Sequence, residues 1–111
     1  MDKILNLLSL TPAEKEAFLA AAPGVSQRFA AAGDLDAADY AGTEVILGNP
    51  PPAVLKGAAG LRWLHTRSAG VDAYTAPGVL PEGVLLTCST GAYGHSVSEH
   101  LFAMLLALMK R

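Results

Sequence analysis

The sequence predicts an α/β domain built around one parallel sheet, and two observations carry that prediction. Short apolar runs alternate along the chain with stretches that begin with helix-start signals, which is the pattern of consecutive βαβ units. A chain of 111 residues also has the length of a single domain that can bury a modest core. Because crossovers between parallel strands are right-handed, we expect helices on both faces of the sheet.

The first half of the chain supplies three predicted strands. Residues 4–8 form the first, and Thr11-Pro12-Ala13-Glu14 then has an N-cap threonine, a proline at the first helical position and a glutamate that completes a capping box. That helix is predicted to end near Ala22, before Pro23-Gly24. The other predicted elements of this half are a strand over residues 27–31, a helical turn over residues 36–40 and a strand over residues 44–48.

The second half supplies the remaining elements. A helix over residues 52–59 and strands over residues 61–66 and 84–88 are predicted, and Ser96-Val97-Ser98-Glu99 predicts a capped helix from Ser96 to Arg111. Five strands in this arrangement predict a flavodoxin-like (Rossmann-like) five-stranded parallel sheet, with strand order 2-1-3-4-5. Ligands of such sheets bind beyond the carboxyl ends of the strands. Those ends are Ser9, Asn49 and residues 67–72 and 89–94.

The last predicted helix is apolar all round. From Leu101 to Met109 the sequence has no polar residue, whereas a helix on a protein surface carries a polar stripe. The run is too short to span a bilayer, which takes about 20 residues. It therefore needs protein on several sides. We expect that the chain dimerises through this helix, that it is the front part of a longer protein, or both.

Composition excludes several classes of partner. A formal net charge of −2 gives no electrostatic footprint for nucleic acid or an anionic membrane. The single cysteine, Cys88, excludes an internal disulfide framework and fits a reducing compartment. The apolar stretch over residues 4–10 resembles the start of a signal peptide, but Glu14, Lys15 and Glu16 interrupt it. We expect a cytoplasmic protein that binds neither nucleic acid nor membrane.

The histidines and the cysteine do not predict a metal site or a nucleophile. His95 and His100 are five residues apart, which is off the spacing of two ligands on one helical face, and the sequence has no Cys-x-x-Cys. His65 and Cys88 lie in predicted strands, where a cysteine is usually an inert apolar residue. Gly91-Ala92-Tyr93-Gly94 has only the outer spacing of a glycine loop, so a simple turn and an anion-binding loop remain open.

Ser68-Ala69-Gly70-Val71-Asp72 is the sharpest local feature, because small residues directly follow a predicted strand. Such residues let backbone N–H groups approach a ligand, and two amides can hold a carboxylate. The alternative is a turn that requires glycine, with Asp72 capping the next helical turn. Spacing alone leaves both interpretations open.

Three segments of the sequence, residues 61–72, 83–94 and 98–108, resemble the D-isomer-specific 2-hydroxyacid dehydrogenases in order and spacing. Residues 44–111 carry this resemblance, while residues 1–43 fit only by pattern. The family has a flavodoxin-like substrate domain into which a Rossmann NAD(P) domain is inserted. The resemblance implies that residues 1–95 are the N-terminal part of the substrate (catalytic) domain and that residues 96–111 are the interdomain linking helix. The NAD(P)-binding domain is absent from this chain.

The resemblance also implies a substrate site. In the family, backbone amides of the equivalent loop hold the substrate carboxylate, and the loop after the third strand borders the substrate. Tyr93 falls where relatives place a polar substrate contact, although a stacked hinge tyrosine is an equal alternative. Glu99 and His100 match a structural Glu-His pair at the family's hinge. The implied substrate-binding residues are Ser68, Ala69, Gly70, Val71, Tyr93 and Asn49.

Departures from the family pattern imply that this chain alone is inactive. The fingerprint glycine loop and the catalytic Arg, Glu and His have no counterpart here, so no catalytic, cofactor-binding or metal-binding residue is predicted. NAD or NADP would bind only the full-length protein, which would interconvert a 2-oxoacid and a D-2-hydroxyacid, and relatives dimerise largely through their nucleotide domains. The alternatives are a non-enzymatic flavodoxin-like module for small-molecule binding or dimerisation, and a corepressor-like relative that senses dinucleotide.

Overall fold

The computed structural model describes residues 4–111, which form one all-parallel sheet of five strands with the order β2-β1-β3-β4-β5. The predicted fold class and strand order are therefore confirmed. The strands are β1 Ile4–Asn6, β2 Gln27–Phe29, β3 Val45–Leu47, β4 Trp63–His65 and β5 Leu85–Thr87. The helices are α1 Pro12–Ala21, α2 Ala37–Tyr40, α3 Asp72–Thr75 and α4 Gly94–Lys110, with 3-10 helices over Ala32–Asp34 and Pro52–Gly57.

Each strand is shorter than the apolar run that predicted it. The ladder covers three residues per strand, and in its middle Ile46 of β3 lies opposite Leu5 of β1 and Leu64 of β4. The residues at the ends of the apolar runs leave the ladder and pack instead, because side chains such as Leu7 and Val84 lie against the core. An apolar run therefore located each strand but overstated its length.

One face of the sheet carries the core. Leu5, Ile46 and Leu64 are fully buried there, under a layer formed by α2, the second 3-10 helix and α3. Tyr40 and Tyr74 belong to this layer and are buried as well. The layer places α3, and the loop that precedes it, against the carboxyl ends of the central strands.

The opposite face is covered only in part. Helix α1 is the helix that lies against it, and α1 contains no buried residue. The capping box predicted for α1 is present: Thr11 Oγ1 accepts from the N–H of Glu14 at 3.3 Å, and Glu14 Oε2 accepts from the N–H of Thr11 at 2.7 Å. Trp63 and Leu85 of this face remain 38% and 59% exposed.

The element predicted as a helix over residues 52–59 is a 3-10 helix, Pro52–Gly57. The prolines at 51 and 52 lack N–H donors, and the bonds that do form span three residues, such as Ala58 N–H to Leu55 O at 3.1 Å. The segment is therefore a short connector, and its buried Leu55 fixes it to the core.

Helix α4 begins at Gly94, so the capping box predicted at Ser96 is wrong. The N–H of Val97 already donates to the carbonyl of Tyr93, at 2.9 Å, which puts Ser96 inside the first turn. Glu99 does not reach back to a cap; its Oε1 lies 2.8 Å from Nε2 of His95. Tyr93 is the N-cap residue and makes no side-chain capping bond.

Every residue of α4 is exposed. The radius of gyration is 17.1 Å, against about 13 Å for a compact domain of similar length, and the longest dimension is 56 Å. Over residues 4–111, the helices lack the combination of length and hydropathy that a membrane span requires. Helix α4 is therefore an apolar element without a cover in this chain.

Candidate functional site

The candidate site lies at the carboxyl edge of the sheet, where the loops after β3, β4 and β5 meet. These are the β3 loop (residues 48–51), the β4 loop (residues 66–71) and the β5 loop (residues 88–93). Gly48 turns the chain out of β3 with a φ of +121°, a conformation that other residues rarely adopt. A Cβ at this position would lie 2.8 Å from Cβ of Leu7, so a side chain has no room there. The turn directs Asn49 toward the loop that follows β4.

Asn49 fastens the β3 loop to the β4 loop with both ends of its amide. Its Nδ2 donates to Oγ of Ser68 at 2.9 Å, and its Oδ1 accepts from the N–H of Arg67 at 3.1 Å. The half-buried side chain is 18 and 19 residues away from these partners along the chain. Asn49 therefore positions the loop through one amide donor and its amide oxygen.

The β5 loop holds the β4 loop from the other side through its carbonyl groups. The hydroxyl of Ser89 donates to the carbonyl of Thr66 at 3.1 Å, and the Ser89 N–H donates to the carbonyl of Ser68 at 3.2 Å. The Ser68 carbonyl also accepts from Oγ1 of Thr66 at 2.9 Å. The hydroxyl of Tyr93 donates to the carbonyl of Arg67. These contacts engage the carbonyls of Thr66, Arg67 and Ser68.

Three backbone N–H donors of the β4 loop, in contrast, are not engaged. Oγ of Ser68 donates to the carbonyl of Gly70 at 2.8 Å, and the carbonyl of Val71 accepts from the N–H of Tyr74 at 2.9 Å. In the part of the chain that the structure describes, the N–H groups of Ala69, Gly70 and Val71 have no hydrogen-bond acceptor. Three free amides in a loop that has most of its carbonyls engaged are chemically suited to an anion.

Gly70 is not needed for the turn itself. Its φ is outside the left-handed region, and a Cβ built on it would meet no atom within 4 Å. The alternative of a turn that requires glycine is therefore wrong. The prediction that Asp72 caps the next helical turn is wrong as well, because Asp72 is the first residue of α3 and the N-cap is Val71, which makes no side-chain capping bond. A side chain at Gly70 would therefore have open space around its Cβ.

Tyr74 connects this loop to the core. Its ring is buried, and its hydroxyl donates to the fully buried carbonyl of Pro50 at 2.8 Å. Burial raises the pKa of the Tyr74 phenol, so the hydroxyl keeps its proton and remains a donor. Helix α3, which follows the free amides, is thus tied to the residue that follows Asn49.

The structure brings together all six residues predicted to bind substrate, although two of them act differently from a direct contact. Asn49 and Tyr93 each spend a side-chain donor on the β4 loop. The predictions missed Thr66, Tyr74 and Ser89 as holders of that loop. A signal existed for Ser89 alone, since the residues after the fifth strand were expected at the same sheet edge.

The remaining candidate groups are dispersed. Oγ1 of Thr87 accepts from Nε1 of Trp63 and lies 2.8 Å from Nδ1 of His65, on the partly covered face. A hydrogen bond with the hydroxyl of Thr90, which lies 2.9 Å from the Cys88 sulfur, lowers the pKa of the Cys88 thiol. Within residues 4–111, no group of three or more His, Cys, Asp or Glu side chains could hold a metal ion.

The residues present do not fit a dinucleotide. Gly91, with a φ of +85°, makes a tight turn in which the N–H of Ala92 donates to the carbonyl of Ser89 at 3.1 Å. From Thr90 to Arg111 every residue is exposed, so no wall encloses a nucleotide next to this turn. The glycine pair therefore acts as a turn that leads into α4.

Comparison with known proteins places this fold among dehydrogenases. The crystal structure of a phosphoglycerate dehydrogenase from Lactobacillus plantarum superposes with a TM-score of 0.63 and 25% identity, over 96% of this chain and 35% of that one. A Streptomyces coelicolor protein described as an uncharacterized protein in the mprR 3′ region is 41% identical over 63 residues, which are 57% of this chain and 22% of that protein. No protein-family model matches.

The chain is therefore a dehydrogenase-like α/β domain, related to the oxidoreductases by its fold. The matches cover 35% of the solved relative and 22% of the curated one, so the chain spans about a third or less of their lengths.

Proposed function

We propose that this chain is the carboxylate-binding part of an NAD(P)-dependent oxidoreductase that interconverts 2-oxoacids and D-2-hydroxyacids. The observation that carries the proposal is the β4 loop, in which the amides of Ala69, Gly70 and Val71 are free while the carbonyls of Arg67, Ser68, Gly70 and Val71 are engaged. The phosphoglycerate dehydrogenase that shares the fold supports the assignment to this kind of oxidoreductase. The resemblance of residues 61–72 to the 2-hydroxyacid dehydrogenases points to the same loop.

The free amides would hold the carboxylate of the substrate. A hydrogen bond between an N–H group and an ionised partner contributes about 1.5–3 kcal/mol, roughly twice a neutral one. Because Asn49, Ser89 and Tyr93 already fix the loop, little conformational entropy is lost on binding. The exposed guanidinium of Arg67 beside the loop favours the approach of an anion.

Cofactor binding and catalysis belong to segments outside this chain in the proposal. The described residues do not fit a dinucleotide, and the family's catalytic Arg, Glu and His have no counterpart here. A nucleotide-binding domain would bring NAD or NADP and close the cleft over the carboxylate loop. We therefore expect the purified chain, a cytoplasmic protein in this proposal, to oxidise no NADH with glyoxylate, pyruvate or hydroxypyruvate.

Amide chemical shifts test the carboxylate site directly. Titration of the ¹⁵N-labelled chain with pyruvate and with D-lactate should move the signals of Ala69, Gly70 and Val71, and the uncharged amide of lactic acid should not. Gly70→Ala should weaken this response, because it adds a methyl group to the residue that supplies the middle one of the three amides, where a Cβ meets no other atom within 4 Å. Gly33→Ala is the matched control, since a Cβ there also meets no atom within 4 Å. Unchanged signals for residues 69–71 with both acids would refute the proposal.

A second candidate function rests on the exposure of α4. A non-enzymatic module that dimerises through this helix would leave the signals of residues 69–71 unchanged by 2-oxoacids, and it would still self-associate. The same titration therefore separates the two candidates.

A further inference from the structure

Arg67 carries the single charge of the three loops that form the candidate site. The β3 loop, the β4 loop and the β5 loop contain no other lysine, arginine, aspartate or glutamate. The side chain of Arg67 is exposed, and it makes no ion pair or hydrogen bond with any residue from 4 to 111. The nearest acidic residue along the chain, Asp72, is exposed as well and lies beyond the free amides, as the first residue of α3. The described part of the chain therefore leaves the guanidinium charge unpaired beside the site.

The main chain of Arg67 is fixed on both sides. Its N–H donates to Oδ1 of Asn49 at 3.1 Å, and its carbonyl accepts from the hydroxyl of Tyr93. These two partners belong to the β3 loop and the β5 loop, so the root of the side chain is held from both neighbouring strand ends. Because both bonds are formed by the main chain, they do not depend on the guanidinium.

The guanidinium is within reach of a small ligand that the free amides hold. Ala69 carries the first free amide and follows Arg67 by two residues, so their Cα atoms are at most about 7 Å apart. The arginine side chain places its charge at the end of a flexible stem of methylene groups, outside the core. A ligand with a second charged group a few bonds from its first carboxylate matches this arrangement.

We propose that Arg67 is a specificity-determining residue, which binds a second carboxylate at the far end of the substrate while the amides of residues 69–71 hold the first. The site then selects dicarboxylic 2-oxoacids and D-2-hydroxyacids over monocarboxylic acids of the same length. A guanidinium binds a carboxylate through two parallel N–H···O bonds, which adds geometric selectivity to the charge. This inference rests on the proposed function and names its substrate class.

The charge of the loops favours a carboxylate over a phosphate as the second group. A phosphate monoester carries a charge of about −1.5 to −2 at neutral pH, with three acceptor oxygens. The three loops supply one cation, and the free amides are already assigned to the first carboxylate. One guanidinium balances one carboxylate.

Two acids that differ only at the far end test the proposal by NMR. D-2-hydroxyglutarate ends in a carboxylate where D-2-hydroxyvalerate ends in a methyl group. In a titration of the ¹⁵N-labelled 111-residue chain at constant ionic strength, the amides of residues 69–71 should respond to both acids. The dissociation constant should be at least about threefold lower for the dicarboxylate. The side-chain Nε–H signal of Arg67 should move with D-2-hydroxyglutarate and stay in place with D-2-hydroxyvalerate.

Arg67→Met and Arg62→Met form a matched pair of variants. Both remove the charge of an exposed arginine whose main-chain N–H and carbonyl are hydrogen-bonded, and the two residues flank β4 at opposite edges of the sheet. Arg67→Met should abolish the preference for the dicarboxylate while the amides of residues 69–71 still respond. Arg62→Met should leave the preference as it is in the parent chain.

The outcomes separate this inference from the proposed function. Amides of residues 69–71 that respond equally to both acids in the parent chain would overturn the role of Arg67 and leave the carboxylate loop in place. A preference that survives Arg67→Met would overturn it too, and so would one that both variants lose, because the charge would then act only at long range. Amides that respond to neither acid would refute the proposed function, and this inference with it.

Discussion

Tyr74 and Tyr40 provide a matched test of how the core supports the candidate site. Both rings are buried in the layer over the core face. The hydroxyl of Tyr74 donates to the carbonyl of Pro50 at 2.8 Å, whereas the buried hydroxyl of Tyr40 has no hydrogen-bond partner among residues 4–111. Replacing each by phenylalanine removes the same atom from two different situations.

The expected magnitudes follow from these partners. Tyr74→Phe removes one hydrogen bond and leaves the fully buried carbonyl of Pro50 unsatisfied, which lowers the free energy of unfolding by about 1–3 kcal/mol. For a domain of this size that loss lowers Tm by about 4 °C per kcal/mol. Tyr40→Phe removes an unpaired buried hydroxyl, so its free energy of unfolding should stay within about 0.5 kcal/mol of the parent or rise.

Urea denaturation followed by Trp63 fluorescence measures both variants, at a chain concentration held constant so that association contributes equally. The m-values should match that of the parent. Equal destabilisation by the two substitutions would refute the reasoning, because it would mean that the bond to Pro50 does not distinguish the two tyrosines.

Three further changes have defined outcomes. Gly48→Ala combines a strained φ with a 2.8 Å overlap on Leu7 and should lower the free energy of unfolding by about 2–6 kcal/mol in the same denaturation assay, whereas Gly33→Ala should not. Asn49→Asp replaces the amide donor to Ser68 by a carboxylate and should weaken D-lactate binding at least about tenfold in the NMR titration. The pKa of Asp39 is lowered first by the hydrogen bond from the backbone N–H of Asp36 and then by Arg28. The contribution of Asp39 to stability is therefore full above its ordinary pKa of 3.8 and is lost as the pH falls below that value. Asp39→Asn should flatten the acid limb of a plot of stability against pH, and an unchanged acid limb would contradict this.

The sequence predicted the fold well because the fold depends on local signals. The alternation of apolar runs and helix starts led to the order β2-β1-β3-β4-β5, and Thr11 with Glu14 marked the start of α1. The predicted start of α4 was wrong because the residues Ser96-Val97-Ser98-Glu99 are compatible both with a capping box and with the first turn of a helix that begins earlier. The competing bond from Val97 N–H to the Tyr93 carbonyl has no signature in the sequence.

The candidate site could be located from the sequence, but its electrostatic character could not. Small residues after a predicted strand marked the β4 loop. The contacts that occupy its carbonyls come from residues more than 20 positions away, such as Ser89 and Tyr93, and they depend on the register of three strands. The role of Asn49 as a positioning residue follows from the same non-local geometry.

Tyr93 links the orientation of α4 to the conformation of the β4 loop. Its hydroxyl holds the carbonyl of Arg67, and the next residue, Gly94, begins α4. A swing of the helix about the turn at Gly91 would pull on that carbonyl, two residues from the first free amide. If a ligand of the loop changes the affinity of a partner for the helix through this bond, the partner changes the affinity of the loop for the ligand by the same factor.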